Sequence, residues 1–256
     1  LKDKYAWAVF FMTVYIFLIF DFMKPGNFND IFLERLFDTL IAAVIVFLVS
    51  YLVLPVWEHQ KNKTLILKYI KANDKYFNRI IDILNQKNIE IQDYKMSRKE
   101  AIISLANLSD NFQKMLSDPK DQQKNLENIH LFVTTAHLFT AYVASLSQYA
   151  LKGENYSEID LSGWKNKINN ELIIAKSILE NEKPEEKNTL SLEISTSDQV
   201  DELLEKRKKE IREEEFLDRR DPKVISHLTE LKNIKELLEL IYNEAREQRK
   251  IAKKLI

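Results

Sequence analysis

YAWAVFFMTVYIFLIF, residues 5–20, and TLIAAVIVFLVSYLVLPVW, residues 39–57, contain no charged side chain. An apolar helix of about 20 residues crosses the ~30 Å hydrocarbon core of a bilayer. The second run meets that length, and the first reaches it with Asp21, Phe22 and Met23. Neither run has the one-sided apolar stripe of a helix lying on a soluble core. Both therefore read as membrane-spanning helices, about residues 5–23 and 36–57. A secretory signal is the rival reading of the first run, since Lys2 and Lys4 precede it. Its apolar core is long for that purpose, and no small-residue cleavage site comes after it.

The run is succeeded instead by Lys24-Pro25-Gly26-Asn27, a turn that breaks the first helix. Asn29 or Asp30 can cap the next helix. A helix from Asp30 to Trp57 would measure about 42 Å at 1.5 Å per residue. That exceeds the hydrocarbon core, so Glu34, Arg35 and Asp38 are expected at the interface and not at the bilayer centre. Basic residues flank both runs on their outer sides: Lys2 and Lys4 before the first, His59, Lys61, Lys63, Lys68 and Lys71 after the second. The positive-inside bias then places both ends in the cytoplasm and the connecting tip outside. Tyr5, Trp7, Tyr51 and Trp57 suit interfacial anchors, and Asp21 reads as a polar stop at the outer interface. Ser50 reads as a hydroxyl that hydrogen-bonds a neighbouring helix.

Working outward, the charge is segregated. Residues 1–57 hold 4 Lys/Arg and 5 Asp/Glu, and residues 58–256 hold 34 of each sign. One part suits a membrane and the other water. The chain has 3 Gly, 5 Pro, 4 His and no Cys. Gly-fingerprint nucleotide folds, disulfides, thiolate zinc sites and Cys nucleophiles are excluded on that count. The net charge of −1 gives no footprint for nucleic acid. The first residue is Leu, so the chain reads as part of something longer.

From Glu58 the pattern is helical. Leu65, Ile66, Tyr69, Ile70, Tyr76, Phe77, Ile80, Ile81 and Leu84 form a stripe of helical period that fades near Asn88. Ser97-Arg98-Lys99-Glu100 reads as a capping box. It opens a helix to about Ser117, whose expected apolar face is Ile102, Ile103, Leu105, Leu108, Phe112 and Leu116. A third helix, about Gln122 to Leu151, is so apolar and aromatic between Ile129 and Tyr149 that it reads as the centre of a bundle, ended by Gly153. A fourth spans about Ser162 to Asn181. Residues 183–198, with Pro184, read as a loop. Ser197 or Asp198 caps a charged helix to Leu217, and Pro222 opens the last helix, to Ile256. The expected fold is all-α: a transmembrane helical hairpin over residues 1–57, a cytoplasmic helical bundle over 58–182, and charged C-terminal helices over 199–256.

Residues 35–58, RLFDTLIAAVIVFLVSYLVLPVWE, carry recognisable detail. An Arg, then Asp-Thr, a small residue, an apolar run and Pro-x-Trp occur here as Arg35, Asp38, Thr39, Ala42, Pro55 and Trp57. This resembles the last transmembrane helix of the fusaric-acid-resistance-like (FUSC) inner membrane proteins of bacteria, which usually have Gly where this chain has Ala42. The resemblance implies a bacterial inner-membrane, multi-pass protein associated with export of aromatic acids and related compounds. Members usually have two membrane halves, each followed by a cytoplasmic region. This chain would correspond to the C-terminal end of such a protein.

Arg35, Asp38 and Thr39 share a helix face at spacings of three and four. In the functional reading Arg35 attracts an organic anion at the pore mouth and Asp38 tunes or gates it. The bland reading is an interfacial salt bridge of little energetic weight. Lys61, Lys63, Lys68 and Lys71 are candidates for contact with anionic headgroups. Lys206-Arg207-Lys208-Lys209, followed by Glu213-Glu214-Glu215, reads as a self-paired solvated helix. His130 and His137, seven apart, lack the partners of a metal site and are expected in or beside the bundle core. No nucleophile–base–acid set is discernible, and neither a metal, a cofactor nor an enzymatic role is expected.

The favoured function is the C-terminal part of an exporter of small organic acids. Its helical domain would serve assembly or gating, and a homo-oligomer, by default a dimer, is expected. The competing function is a membrane-anchored scaffold or sensor whose bundle binds a protein partner or dimerises. Two spans alone cannot enclose a pore.

Overall fold

The computed structural model describes residues 2–23, 28–49, 58–154, 156, 158–182, 201–205, 209 and 222–255. Within them the regular structure is helical. The chain divides into two compact units, Leu1–Val56 and Trp57–Ile256. The turn at 24–27, Ser50, Tyr51, Pro55, Trp57, the 183–198 loop, the caps Ser197 and Asp198, Lys206 to Lys208 and Glu213 to Glu215 lie outside the described residues.

The first unit is a pair of helices, α1 (Lys2–Met23) and α2 (Phe28–Leu48). Asn29 and Asp30 already lie inside α2, so neither is its cap. The rings of Phe17 and Phe32 meet at 5.7 Å. None of the pair's described side chains is buried. Phe10, Phe11, Tyr15, Leu18, Leu40, Val46 and Phe47 are all more than half exposed. Soluble monomers rarely leave apolar patches beyond a few hundred Å² uncovered, so this sheath needs an apolar surrounding. Thr13 and Thr39 donate their hydroxyl protons to the carbonyls of Val9 and Arg35, at 2.8 and 2.7 Å. Such back-bonds satisfy a hydroxyl without water.

The second unit is a bundle of α3 (Asn62–Leu84), α4 (Ile91–Met115), α5 (Leu126–Ala150), α6 (Leu161–Glu180) and α7 (Pro222–Lys254). A 3₁₀ turn, Glu58–Lys61, leads into α3. The α3 stripe is buried as its period requires, with Tyr69, Tyr76, Phe77, Ile80 and Ile81 wholly enclosed. Gln86 takes a left-handed backbone and ends the run. α5 is long and apolar enough to cross a membrane by length and composition. Here Phe132, Ala136, Phe139, Val143 and Leu146 are buried, and the helix packs against α3, α4 and α7. Its apolarity reflects a central place in the bundle core.

Two expectations are corrected. α4 begins at Ile91, so Ser97 caps nothing. Ser97 is buried and donates to the Tyr94 carbonyl at 2.9 Å, while Glu100 pairs with Lys75 at 2.9 Å. Tyr94, buried against the Tyr76 ring, draws the helix start six residues upstream. The buried face of α4 is consequently rotated: Ala101, Leu108, Phe112 and Met115 point inward, and Ile102, Ile103 and Leu116 are about half exposed.

α7 closes the bundle. Leu231, Ile234, Leu238, Ile241, Ala245 and Ala252 are buried, packed on α5 and α6. Residues 201–205 are helical, and Lys235 of α7 binds Asp201 at 2.7 Å.

Candidate functional site

In the first unit a groove of about 380 Å³ runs between α1 and α2, lined by Thr13, Ile16, Phe17, Phe32, Arg35, Leu36 and Thr39. Spacings of three and four on α2 bring Phe32, Arg35, Leu36 and Thr39 to one face. The Arg35 guanidinium stands 5.1 Å over the Phe20 ring of α1. A cation over an aromatic face is held by the ring quadrupole.

Two of the three residues singled out in the sequence, Arg35 and Thr39, thus meet in the groove. Asp38 is exposed and does not line it, and among the described residues no ion pair joins Asp38 to Arg35. The arginine reaches across to α1. The groove offers one fork of five N–H donors, suited to a carboxylate. Beside the fork lie two threonines, two phenylalanines and two aliphatic side chains that can cover an apolar body.

The four lysines after the second run fall into three settings. Lys61 bonds Glu58 at 3.0 Å. Lys63 lines a pocket at the start of α3. Lys68 and Lys71 line a groove of about 510 Å³ between α3 and α4, with Lys75, Glu100 and the exposed Ile103. His130 and His137 lie on the exposed edge of α5 and not in the core. The His137 ring nitrogen Nε2 is 2.8 Å from Ser109 Oγ, and the His130 ring is 5.4 Å from that of Phe112. Among the described residues no group of three His, Asp or Glu side chains could hold a metal ion.

One charged cluster left no mark in the sequence. Glu230 of α7 accepts from Lys152 Nζ at 2.6 Å and from the Tyr156 hydroxyl at 2.9 Å. The Lys152 ammonium holds the Glu230 carboxyl below the usual range. Tyr156 stacks on His227 at 5.9 Å, and His227 Nε2 lies 3.3 Å from Glu158. This knot ties the α5–α6 connection to α7. Glu230 sits among many exposed acids of one helix, and only the fold distinguishes it.

Residues 1–49 match the family described as fusaric acid resistance protein-like. Over these residues, about a fifth of its length, the chain is similar to that family of membrane proteins. The matched segment contains α1, α2 and the whole Arg35 groove, while Pro55 and Trp57 lie beyond it. The chain is also similar to inner membrane protein YccS of Escherichia coli (strain K12), 25% identical over 146 residues. That alignment covers 57% of this chain and 20% of the relative, so the chain spans about a fifth of that protein's length. No solved structure matches the chain.

Proposed function

We propose that this chain is the C-terminal part of a bacterial inner-membrane exporter of small organic acids, aromatic ones above all, of the fusaric-acid-resistance-like kind that residues 1–49 match. The observation that supports this most is the α1–α2 groove, where a guanidinium, two threonines and aromatic rings share one cleft in an apolar pair of helices. Arg35 receives the anionic head, and Phe17 and Phe32 accept a planar apolar body. Thr39 keeps its own hydroxyl bonded to Arg35 O, so its lone pairs face the groove without a desolvation penalty from an unmet proton. Asp38, exposed beside the groove, supplies the gating charge. α1 and α2 cross the bilayer as a hairpin and residues 58–256 lie in the cytoplasm. There Lys61, Lys63, Lys68 and Lys71 meet anionic headgroups and the bundle supports assembly. Two helices do not enclose a path, so the pore is completed by the rest of the protein or by further copies.

The test is retention of a panel of aromatic carboxylic acids in cells lacking the full-length gene, carrying it, or carrying Arg35→Gln. Membrane abundance is measured alongside. Accumulation in the deletion strain, uncorrected by Arg35→Gln at normal abundance, supports both the exporter and the Arg35 role. Clearance by Arg35→Gln equal to wild type removes Arg35 from the path. Equal retention with and without the gene overturns the substrate class.

A further inference from the structure

At the start of α3 the bundle leaves a pocket of about 330 Å³, near the lower end of the size range of small-molecule sites. Its floor is apolar: Ile66, Ile129 and Leu179 are almost wholly buried. Its rim carries His59, Lys63 and Lys124, and no carboxylate is among its lining residues. Lys63 and Lys124 take part in no salt bridge among the described residues, whereas Lys61, Lys75, Lys114, Lys152 and Lys165 each do. The Nδ1 atom of His59 is enclosed and has no hydrogen-bond partner. Leaving a buried ring nitrogen unbonded carries a desolvation cost that a ligand atom can remove.

The backbone adds to this. α5 begins at the pocket after Asn125, whose left-handed backbone starts the helix and whose side chain does not cap it. The first-turn N–H groups of α5 remain open to an anion. The opposing carbonyl end of α6 is closed internally, by Asn181 N–H to Ile178 O and Glu182 N–H to Ser177 O. Cationic rim, open amides and apolar floor therefore coincide, on residues that no part of the α1–α2 groove shares.

We propose that this pocket binds a small amphipathic anion, an apolar body bearing a carboxylate or phosphate head. The head lies between Lys63, Lys124 and His59, and the body rests on Ile66, Ile129 and Leu179. The proposal stands apart from the transport reading.

The experiment uses the full chain in detergent, carrying Arg35→Gln so that the first groove does not contribute. Equilibrium dialysis with 1-naphthoate, 1-naphthyl phosphate and neutral 1-naphthamide measures binding. The expected result is saturable uptake of one anion per chain, with the amide at least about tenfold weaker. Adding Lys63→Gln and Lys124→Gln should weaken anion binding by about tenfold or more. Both lysines are exposed, so the thermal unfolding temperature should not move. Raised ionic strength should weaken binding in the unmutated pocket as well, by screening. Whichever anion binds tighter names the head group. Binding unaffected by the double substitution and by salt, or an amide that binds as well as the anions, overturns the proposal. Arg35→Gln protein that binds normally while transport is intact or lost leaves the two readings separately decided.

Discussion

Gln248 of α7 places its amide nitrogen 3.3 Å from the hydroxyl oxygen of Tyr69 of α3, and both side chains are fully buried. The Tyr69 hydroxyl in turn donates to the Ala136 carbonyl of α5 at 3.0 Å. Asn73 and Thr140 join beside it, with Thr140 Oγ1 3.0 Å from Asn73 Oδ1. Burial pushes the Tyr69 hydroxyl well above its usual range, so it stays protonated and keeps donating. One polar knot thus fixes the register of three helices inside an apolar core.

Tyr69→Phe removes the donor to Ala136 and leaves the Gln248 amide without its acceptor. The expected loss is about 1–3 kcal/mol of stability, read by chemical denaturation of the bundle followed by circular dichroism. Gln248→Leu in the same background should restore part of that loss, because it removes the stranded amide. An additive outcome would show that the two side chains are not coupled.

Glu230 gives a pH signature. Its carboxyl is held low by the Lys152 ammonium and the Tyr156 hydroxyl. A depressed carboxylate contributes stability that is present above its unfolded value and is lost as pH falls through its folded one. Glu230→Gln should therefore lower the unfolding temperature at neutral pH. The gap to wild type should close as pH drops below the ordinary carboxylate range. A constant gap across that range would assign the loss to packing alone.

Glu244 runs the other way. Burial, with the Glu247 charge added, raises its carboxyl above the usual range. A raised carboxylate opposes folding once it is ionised, and the opposition disappears as pH falls and the group binds its proton. Glu244→Gln should raise the unfolding temperature at neutral pH and leave it unchanged in acid. Thermal scans of the two proteins at a series of pH values check both halves of the statement.

The start of α6 offers a third kind of test. Asp160 caps the helix by accepting from the Gly163 N–H at 2.8 Å. A Cβ at Gly163 would collide with the Asp160 carboxylate, so the side chain would have to leave the cap. Asp160→Ala and Gly163→Ala should each cost about 1 kcal/mol. Together they should cost little more than either alone. Full additivity would mean that alanine at 163 harms the helix by another route.

The sequence carried much of this architecture in its periodicities. Two uncharged apolar runs marked α1 and α2. The stripe from Ile66 to Leu84 marked α3 and its buried face. The all-round apolarity of Ile129 to Tyr149 marked a central helix, and Pro222 marked the start of α7. Arg35 and Thr39 stood out because charge and hydroxyl recur at helical spacing beside an apolar run. These signals are local: they depend on which side chains lie three or four residues apart.

Tertiary contacts decided the rest. Ser97 and Glu100 spell a capping box, yet packing of Tyr94 against Tyr76 extends α4 past it and turns Ile102 and Ile103 outward. Arg35 leans to Phe20 on another helix, so its neighbour Asp38 is left without it. Of lysines 61, 63, 68 and 71, the fold puts Lys68 and Lys71 in one groove, Lys63 at the rim of a pocket and Lys61 against Glu58. Whether α7 packs on its own bundle, and which of its acids and amides are buried, is settled only by the fold. A helix states in its own sequence which face is apolar. The partner of that face is chosen by contacts between residues as far apart as Tyr69 and Gln248, and no short-range pattern encodes them.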